Sequence, residues 1–214
     1  MELQSINIGQ ATAIENTKTV GKTGIYKQPV TGAIEITTRG LPGDAICDVD
    51  NHGGVDQAIY LYGTTDYAWW SAELGTELAP GTFGENLTVG GLESMDYNIG
   101  DRFHIGAVIL EVTAPRIPCV TLAARMGDPT FVKRFRYAER PGLYCRVIQP
   151  GVLQSGDGVT VEAYAGPTIS AREMFRSFFE PVTDAATLRR HLAAPIAIRA
   201  RVDKVATLDQ MTAA

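Results

Sequence analysis

The segment Pro115–Cys119 brings together residue types that could carry out sulfur chemistry. The residues after Cys119 have a helical pattern that Gly127 would end, so Pro118 fits the first position of a short helix and Cys119 fits its first turn. The positive end of a helix and the nearby Arg116 would both lower the pKa of this thiol. The thiolate is the form that attacks electrophiles or binds a metal. The alternative interpretation is an inert core cysteine, since free cysteine is among the most buried residue types.

Two glycine-containing loops add polar groups that could contact a ligand. The loop Asp48–Asp56 holds four acids or amides, one histidine and two glycines. Gly53 and Gly54 would let the backbone approach a ligand closely and offer N–H groups to it, whereas the spacing of the acids excludes an EF-hand. His52 could be a metal ligand, a proton carrier, a hydrogen-bond donor or simply a structural histidine. The second loop, Gly81–Leu87, carries a carboxylate and an amide.

A third polar segment has the outward form of a phosphate-binding loop. Gly21, Lys22 and Thr23 would end such a loop, but the Walker spacing requires a glycine where this chain has Asn16. No strand–loop–helix context surrounds it either, so we exclude a P-loop. The segment is predicted to be a turn in which Lys22, Thr23 and Lys27 either contact an anion or remain solvated.

Composition and charge narrow the class of protein. The chain has 214 residues, 45% of them hydrophobic and 20% charged, with a net charge of −5, which is typical of a soluble globular chain with one sizeable core. No basic block supports nucleic-acid binding, no apolar run approaches the roughly 20 residues of a membrane helix, and the N-terminus lacks the pattern of an export signal. The three cysteines, Cys47, Cys119 and Cys145, form no Cys-x-x-Cys pair, so neither a disulfide framework nor a structural zinc site is expected. We therefore expect a cytoplasmic protein with reduced thiols and no membrane partner.

Short strands dominate the chain before Gly166. Alternating or continuous apolar runs between turn signals predict strands at 2–8, 33–38, 57–62, 101–104, 107–112, 143–149 and 159–164. One clear helix is predicted at 64–79, with Thr64 or Thr65 as its cap, and a basic helix follows Asp128. The fold is therefore predicted to be mostly β, a barrel or sandwich with inserted helices, rather than a doubly wound sheet.

The chain changes character after the glycine–proline pair at 166–167. A Ser-x-x-Glu capping box at 170–173 starts one helix. Apolar stripes predict two further helices, the first starting at Thr183 or Asp184. The predicted domains are a β domain at residues 1–165 and a small three-helix domain at residues 166–214.

Seven short motifs follow one another along the chain. They are Gly43-Asp44 with Asp48, His52-Gly53-Gly54-x-Asp56, Gly81-x-Phe83-Gly84-Glu85-Asn86-Leu87, Ile99-Gly100-Asp101, Pro115-Arg116-x-Pro118-Cys119, Arg140-x-Gly142-x-Tyr144-x-Arg146-Val147, and Gly156-Asp157. Together they resemble the MOSC family, which is named after the C-terminal domain of molybdenum cofactor sulfurase. Within it, the chain is similar to the bacterial subgroup that has a short three-helix C-terminal domain and includes a 6-N-hydroxylaminopurine reductase. The resemblance covers roughly residues 1–165, and the tail agrees with it in position and length.

The resemblance implies a MOSC-type β-barrel that binds a molybdenum–pterin cofactor. It implies Cys119 as the molybdenum ligand and the two-electron reduction of N-hydroxylated bases or amidoximes to amines. His52 would be a second catalytic residue that passes a proton to the leaving oxygen. The residues that we expect to contact the cofactor are Lys22, Thr23, His52, Gly53, Gly54, Asp56, Asn86, Arg116, Arg140 and Arg146.

The sequence also departs from the subgroup, and the function stays open between three hypotheses. Val120-Thr121 replace the usual Trp-Lys, and Gln57 replaces a usual lysine, so two positive charges are lost. The chain is therefore a molybdenum-dependent reductase, a carrier of cofactor or sulfur, or a scaffold that no longer binds cofactor. No flavin, iron–sulfur or nicotinamide motif is present, so a reductase would need an external electron-donor protein or a small reductant. A homodimer is one assembly to consider.

Overall fold

The computed structural model describes residues 1–15, 21–49 and 52–213. Asn16, on which the exclusion of a P-loop depended, lies outside the described residues. Asp50 and Asn51 of the predicted polar loop lie outside them as well.

Twelve strands and six α-helices make up the described chain, with two short 3-10 helices at Val55–Gln57 and Ser94–Asp96. The strands are β1 (Glu2–Ile8), β2 (Thr12–Ala13), β3 (Lys22–Thr23), β4 (Gln28–Val30), β5 (Ile34–Ile36), β6 (Ile59–Gly63), β7 (Leu87–Gly90), β8 (Arg102–Ile105), β9 (Val108–Pro115), β10 (Leu143–Gln149), β11 (Gly151–Leu153) and β12 (Val159–Glu162). The helices are α1 (Thr64–Leu74), α2 (Val120–Met126), α3 (Phe131–Ala138), α4 (Ala171–Phe179), α5 (Ala185–Ala193) and α6 (Ile198–Ala213).

Eight strands form one mixed sheet in the order β12-β8-β9-β10-β6-β7-β1-β4. The pair β6–β7 is parallel and the other neighbours are antiparallel. Backbone hydrogen bonds join β1, the strand next to one end of this order, to the segment that precedes β12 at the other end, from Leu3 N to the Asp157 carbonyl at 2.9 Å and from Gly156 N to the Leu3 carbonyl at 2.8 Å. Among the described residues the ladder itself is not closed, so the predicted barrel is not confirmed.

Helices make up about 32% of the chain and strands about 28%. The sequence patterns had predicted a larger share of strands than of helices. The fold is therefore a mixed sheet with six helices, and a mostly β class is not confirmed. The C-terminal helix α6 alone spans sixteen residues, Ile198–Ala213. No helix in the described ranges is long and apolar enough to cross a bilayer.

The predicted start of α1 at Thr64 is confirmed, but its predicted end at 79 and its predicted capping residue were wrong. The helix ends at Leu74, because Gly75 adopts the left-handed conformation that closes a helix (φ 67°). Its N-cap is Gly63 rather than a threonine. The hydroxyl of Thr64 accepts a hydrogen bond from Gly91 N at 2.9 Å instead, which ties α1 to the loop after β7.

The capping signals of the tail are confirmed. Ser170 Oγ accepts a hydrogen bond from Glu173 N at 3.0 Å, and Asp184 caps α5 by accepting one from Thr187 N at 2.7 Å. Residues from this tail, including Ile169, share one apolar core with the sheet strands. Whether 166–214 is a domain of its own stays a prediction.

A second apolar cluster lies beside the sheet and is rich in aromatic rings. Tyr67 and Trp70 of α1 are buried in it, together with Phe83 and the α3 residue Phe131. Cys119 packs against the edge of this cluster. The aromatic cluster therefore supports the segment that carries the candidate thiol.

Candidate functional site

One cavity of about 790 Å³, including its open mouth, lies where several loops meet the ends of the sheet strands. It is lined by Lys22, Thr23, Gly24, Ile25, Lys27, Asp44, Ala45, Ile46, Cys47, Asp48, His52, Gly53, Gln57, Tyr60, Gly84, Asn86, Arg116, Cys119, Thr121 and Tyr144.

The cavity brings together most of the residues that the sequence singled out. Seven predicted site residues line it, from four separate parts of the chain: Lys22, Thr23, His52, Gly53, Asn86, Arg116 and Cys119. Their functional roles stay predictions, but their convergence in one cavity is a property of the fold.

Four other predicted site residues do not line the cavity. Arg140 Nη1 lies 2.7 Å from the buried carboxylate of Asp66 and 3.2 Å from Glu93. Gly54 precedes the 3-10 helix with φ 82°, a backbone conformation that favours glycine. The remaining two residues, Asp56 and Arg146, pair with each other at 3.0 Å beside the C-terminal tail.

Cys119 lies at the N-cap of α2, not in its first turn as predicted. Its backbone is extended (φ −129°, ψ 168°), and the helix begins at Val120. Pro118 is therefore outside the helix rather than at its first position. The predicted end is confirmed, since Gly127 closes α2 in the left-handed conformation (φ 65°). This turn follows directly from β9, so the sheet fixes where the thiol emerges.

Neighbouring charges make Cys119 acidic. Burial alone would raise the pKa of its thiol, but a hydrogen bond from the His52 side chain and the positive charges of Arg116 and His52 outweigh burial. The N–H of Leu122 contributes in the same direction. The pKa falls to about 6, so most of the thiol is ionised at neutral pH.

Arg116 forms part of the floor of the cavity and is only 4% exposed. Its Nη1 donates a hydrogen bond to the Phe83 carbonyl, and its guanidinium lies 5.2 Å from the centre of the Tyr60 ring. Burial acts to lower the pKa of Arg116, but Tyr60, Tyr144 and Cys119 raise it further, so the group stays charged. Its Nε is buried and has no hydrogen-bond partner among the residues that the structure describes. A buried donor without a partner is costly, and a ligand acceptor in the cavity would remove that cost.

A buried ion pair shapes the opposite wall. Both carboxylate oxygens of Asp44 lie 2.5 Å from Lys27 Nζ. The same carboxylate accepts hydrogen bonds from Gly9 N at 2.8 Å and from Asn86 Nδ2 at 2.9 Å. Burial lowers the pKa of Lys27, and the negative charge of Asp44 opposes that effect. Lys27 is therefore committed to Asp44, whereas Lys22 is exposed at the mouth.

Close backbone packing explains why a glycine stands at position 24 in this wall. A Cβ atom at Gly24 would lie 1.8 Å from the Ala45 carbonyl oxygen, and a Cβ at Gly9 would lie 2.0 Å from the Gly24 carbonyl. Only glycine lets these three segments approach so closely. The close contact brings Asp44 and the loop of Cys47 to the cavity.

Two tyrosines of the wall were not predicted as site residues. Tyr60 on β6 is 2% exposed and donates its hydroxyl proton to the Pro141 carbonyl at 2.7 Å. Tyr144 on β10 lies 5.0 Å from it, measured between ring centres. Burial raises the pKa of both tyrosines, so they stay neutral. Tyr60 lies in an apolar strand run, and the sequence alone does not separate it from core residues. Tyr144 does stand out in the sequence, because it lies between Arg140 and Arg146 in one short motif.

Metal-binding groups are sparse in this part of the molecule. Across residues 1–15, 21–49 and 52–213, no cluster of three or more His, Cys, Asp or Glu side chains is arranged to hold a metal ion. Cys47, Cys119 and Cys145 are all free thiols.

Comparisons with known proteins agree with the order of the sequence motifs. The family model described as the MOSC domain matches residues 48–160. Protein YflK of Bacillus subtilis is 35% identical over 152 residues, which cover 71% of this chain and 69% of YflK. A protein of Gibberella moniliformis named Reductase is 33% identical over 141 residues, which cover 64% of this chain and 25% of that longer protein. The crystal structure of YiiM from Geobacillus stearothermophilus has a TM-score of 0.80 at 25% identity and covers 97% of this chain, with 98% of its own chain matched.

Proposed function

Because the chain belongs to the MOSC domain family, we propose that its cavity binds a molybdenum–pterin cofactor and that the protein reduces N-hydroxylated bases or related N-oxygenated compounds to amines. The similarity to a protein named Reductase supports an oxidoreductase. The chain spans only a quarter of that protein's length, so its whole activity is not transferred to this chain.

One observation carries the proposal: an acidic thiol, Cys119, faces a cavity in which a buried arginine donor lacks a partner. The thiol has a pKa of about 6, and a soft thiolate sulfur is a suitable ligand for molybdenum held by pterin sulfurs. Arg116 Nε is the unpaired donor, and it suits an anionic or carbonyl acceptor of the cofactor. These residues fit the group that the family implies.

Lys22 and Thr23 would complete the contacts to the cofactor phosphate. Lys22 is exposed at the mouth of the cavity, where a lysine can pair with phosphate. The hydroxyl of Thr23 accepts a hydrogen bond from Ile25 N at 3.1 Å, and its own proton remains to be donated. Gly53 N already donates to Gln57 Oε1 at 3.2 Å, so this residue would shape the cavity rather than supply a donor.

When bound, such a cofactor supplies the two-electron redox chemistry that side chains lack. His52 would hold a proton beside Cys119 and donate it to the oxygen that leaves the substrate. Tyr60 and Tyr144 would exclude water from one wall and offer flat rings to a planar base. Electrons would come from an external donor protein.

The test is the metal and pterin content of protein purified from a host that makes the cofactor. Three proteins are compared: wild type, Cys119→Ser, and Cys47→Ser, whose altered side chain lines the same cavity. We expect near-stoichiometric molybdenum and pterin in the wild type and in Cys47→Ser, with loss in Cys119→Ser. The three proteins should rank in the same way by activity. The assay supplies a chemical reductant and an N-hydroxylated purine, and chromatography measures the amine that forms.

The same acidic thiol favours one second candidate, a carrier of sulfur or cofactor. A thiolate at an open cavity can also hold a persulfide sulfur. Cofactor content that does not change in Cys119→Ser, no amine formation and a persulfide on Cys119 by mass spectrometry would favour the carrier. Absence of metal and pterin in all three proteins, together with no persulfide on Cys119, would contradict both functions.

A further inference from the structure

The carboxylate of Asp56 connects the cavity loop to the C-terminal tail. Asp56 Oδ2 accepts a hydrogen bond from the backbone N–H of Ile198, the first residue of α6, at 2.7 Å. The carboxylate therefore occupies the position of a helix cap, although it comes from a distant part of the chain. A negative charge at this end of a sixteen-residue helix is also favourable for the helix dipole.

Arg146 strengthens the same contact from the neighbouring strand β10. Its Nη2 lies 3.0 Å from Asp56 Oδ1 and donates a hydrogen bond to the Pro195 carbonyl at 3.0 Å. One guanidinium thus holds both the loop and the segment that enters α6. The side chains of Asp56 and Arg146 are 14% and 27% exposed, so solvent screens this pair less than a surface pair.

The backbone of the loop is fixed at the same place. Thr113 Oγ1 donates a hydrogen bond to the Asp56 carbonyl at 2.5 Å, and the Thr113 carbonyl accepts one from Ala197 N at 3.1 Å. Strand β9 therefore lies between the loop and the tail and contacts both. β9 is also the strand that leads to Cys119.

From Asp56 the connection continues to the cavity. Gln57, the next residue, accepts a hydrogen bond from Gly53 N through its Oε1 at 3.2 Å. Gly53 adjoins His52, which lines the same cavity as Cys119 and whose side chain hydrogen-bonds to that thiol. Within the described part of this loop, His52 N also donates a hydrogen bond to the Asp48 carbonyl at 2.7 Å, and no residue of the 3-10 helix Val55–Gln57 is buried.

We propose that Asp56 is a positioning residue, which together with Arg146 fixes the loop 52–57 against the C-terminal segment 195–198 and thereby holds His52 against Cys119. The sequence had suggested a direct contact between these two residues and a cofactor. Their side chains are instead used within the protein. The inference concerns the same cavity as the proposed function but does not depend on a bound cofactor.

The test compares Asp56→Ala with Asp184→Ala in the full chain. Asp184 is a matched control, because its carboxylate caps another tail helix, α5, by accepting a hydrogen bond from Thr187 N, and it has no contact with the loop. We expect hydrogen exchange at the amides of His52 and Gly53 to be at least about tenfold faster in Asp56→Ala, with the strands β9 and β10 unchanged. The control should leave both amides at the wild-type rate.

A second readout follows the thiol itself. Iodoacetamide should alkylate Cys119 about fivefold more slowly in Asp56→Ala at about pH 5.5, because His52 no longer stabilises the thiolate. If Asp56→Ala does not fold, Asp56→Asn serves, since it keeps an acceptor for Ile198 N but removes the charge that Arg146 pairs with. Unchanged exchange and alkylation would overturn the proposal. Faster exchange throughout the sheet, without a specific change at residues 52–57, would overturn it as well, because Asp56 would then only stabilise the fold.

Discussion

Two cysteines near adjacent strands show how differently this fold treats the same side chain. Cys145 on β10 pairs with Val112 on β9 and is 0% exposed. Burial raises the pKa of its thiol, and the negative charge of Glu111 adds to that effect. Cys119 comes just after the end of β9, faces the cavity and has a thiol pKa of about 6.

Burial does not explain why the pKa of one thiol is lowered and that of the other is raised. Burial acts to raise the pKa in both cases. At Cys119, the hydrogen bond from His52 and the charge of Arg116 reverse the direction, whereas at Cys145 the negative charge of Glu111 raises the pKa in the same direction as burial. A reactive thiol in this fold is therefore made by what the loops bring to it.

The largest expected consequence is a difference in alkylation rate. In the folded protein at about pH 7, Cys119 should react with iodoacetamide at least about 1,000-fold faster than Cys145, because it is ionised and reachable while Cys145 is neither. Time-resolved mass spectrometry of the labelled peptides measures both rates in one sample. Similar alkylation rates for the two thiols would contradict the claim that Cys119 is ionised and Cys145 is not.

The next consequence is a pH dependence of stability. The pKa of Cys119 is about 6 in the folded protein and about 8.5 in an unfolded chain. Between these values the unfolded chain binds more protons, so the free energy of unfolding should rise with pH by at most about 3 kcal/mol. This contribution is fully present above the unfolded pKa and is lost as pH falls through the folded pKa.

Urea unfolding across this window separates the two thiols. Cys119→Ser should lose the rise in unfolding free energy, whereas Cys145→Ser should retain it at a lower overall stability, since serine places a hydroxyl in the apolar core. Equal pH slopes for the wild type and Cys119→Ser would show that the thiol is not acidic.

The smallest expected effect isolates the contribution of His52. His52→Ala should raise the pKa of Cys119 by about one unit, because it removes the hydrogen bond that most favours the thiolate. The pH dependence of Cys119 alkylation measures this shift. His104→Ala is the matched control, since His104 on β8 pairs at 2.9 Å with Glu162 on the neighbouring edge strand β12. An equal shift in both variants would contradict the assigned role of His52.

Local signals explain what could be predicted from the sequence. Gly127 ends α2 as predicted, and Ser170 caps α4, because capping depends on residues only a few positions apart. Most short strands were found for the same reason. The end of α1 was predicted too late, because Gly75 in the left-handed conformation already ends the helix after Leu74.

Contacts between distant segments explain what could not be predicted. Asp56 and Arg146 lie in motifs that suggest ligand contacts, but their partners come from the tail more than 45 residues further along the chain. Arg140 is neutralised by Asp66, 74 positions earlier. Tyr60 belongs to an apolar strand and faces the cavity only because β6 lies beside β10. The spacing of residues along the sequence does not by itself determine which distant residue a side chain contacts or which cavity it faces.

X-ray absorption at the molybdenum edge tests the central claim, that Cys119 is the protein's ligand to the cofactor. The measurement uses protein from a cofactor-competent host, with wild type beside Cys119→Ser and with metal content determined on the same samples. We expect any molybdenum that remains in Cys119→Ser to have one sulfur neighbour fewer than in the wild type. An identical sulfur shell in both proteins would contradict the claim and remove Cys119 from the metal site.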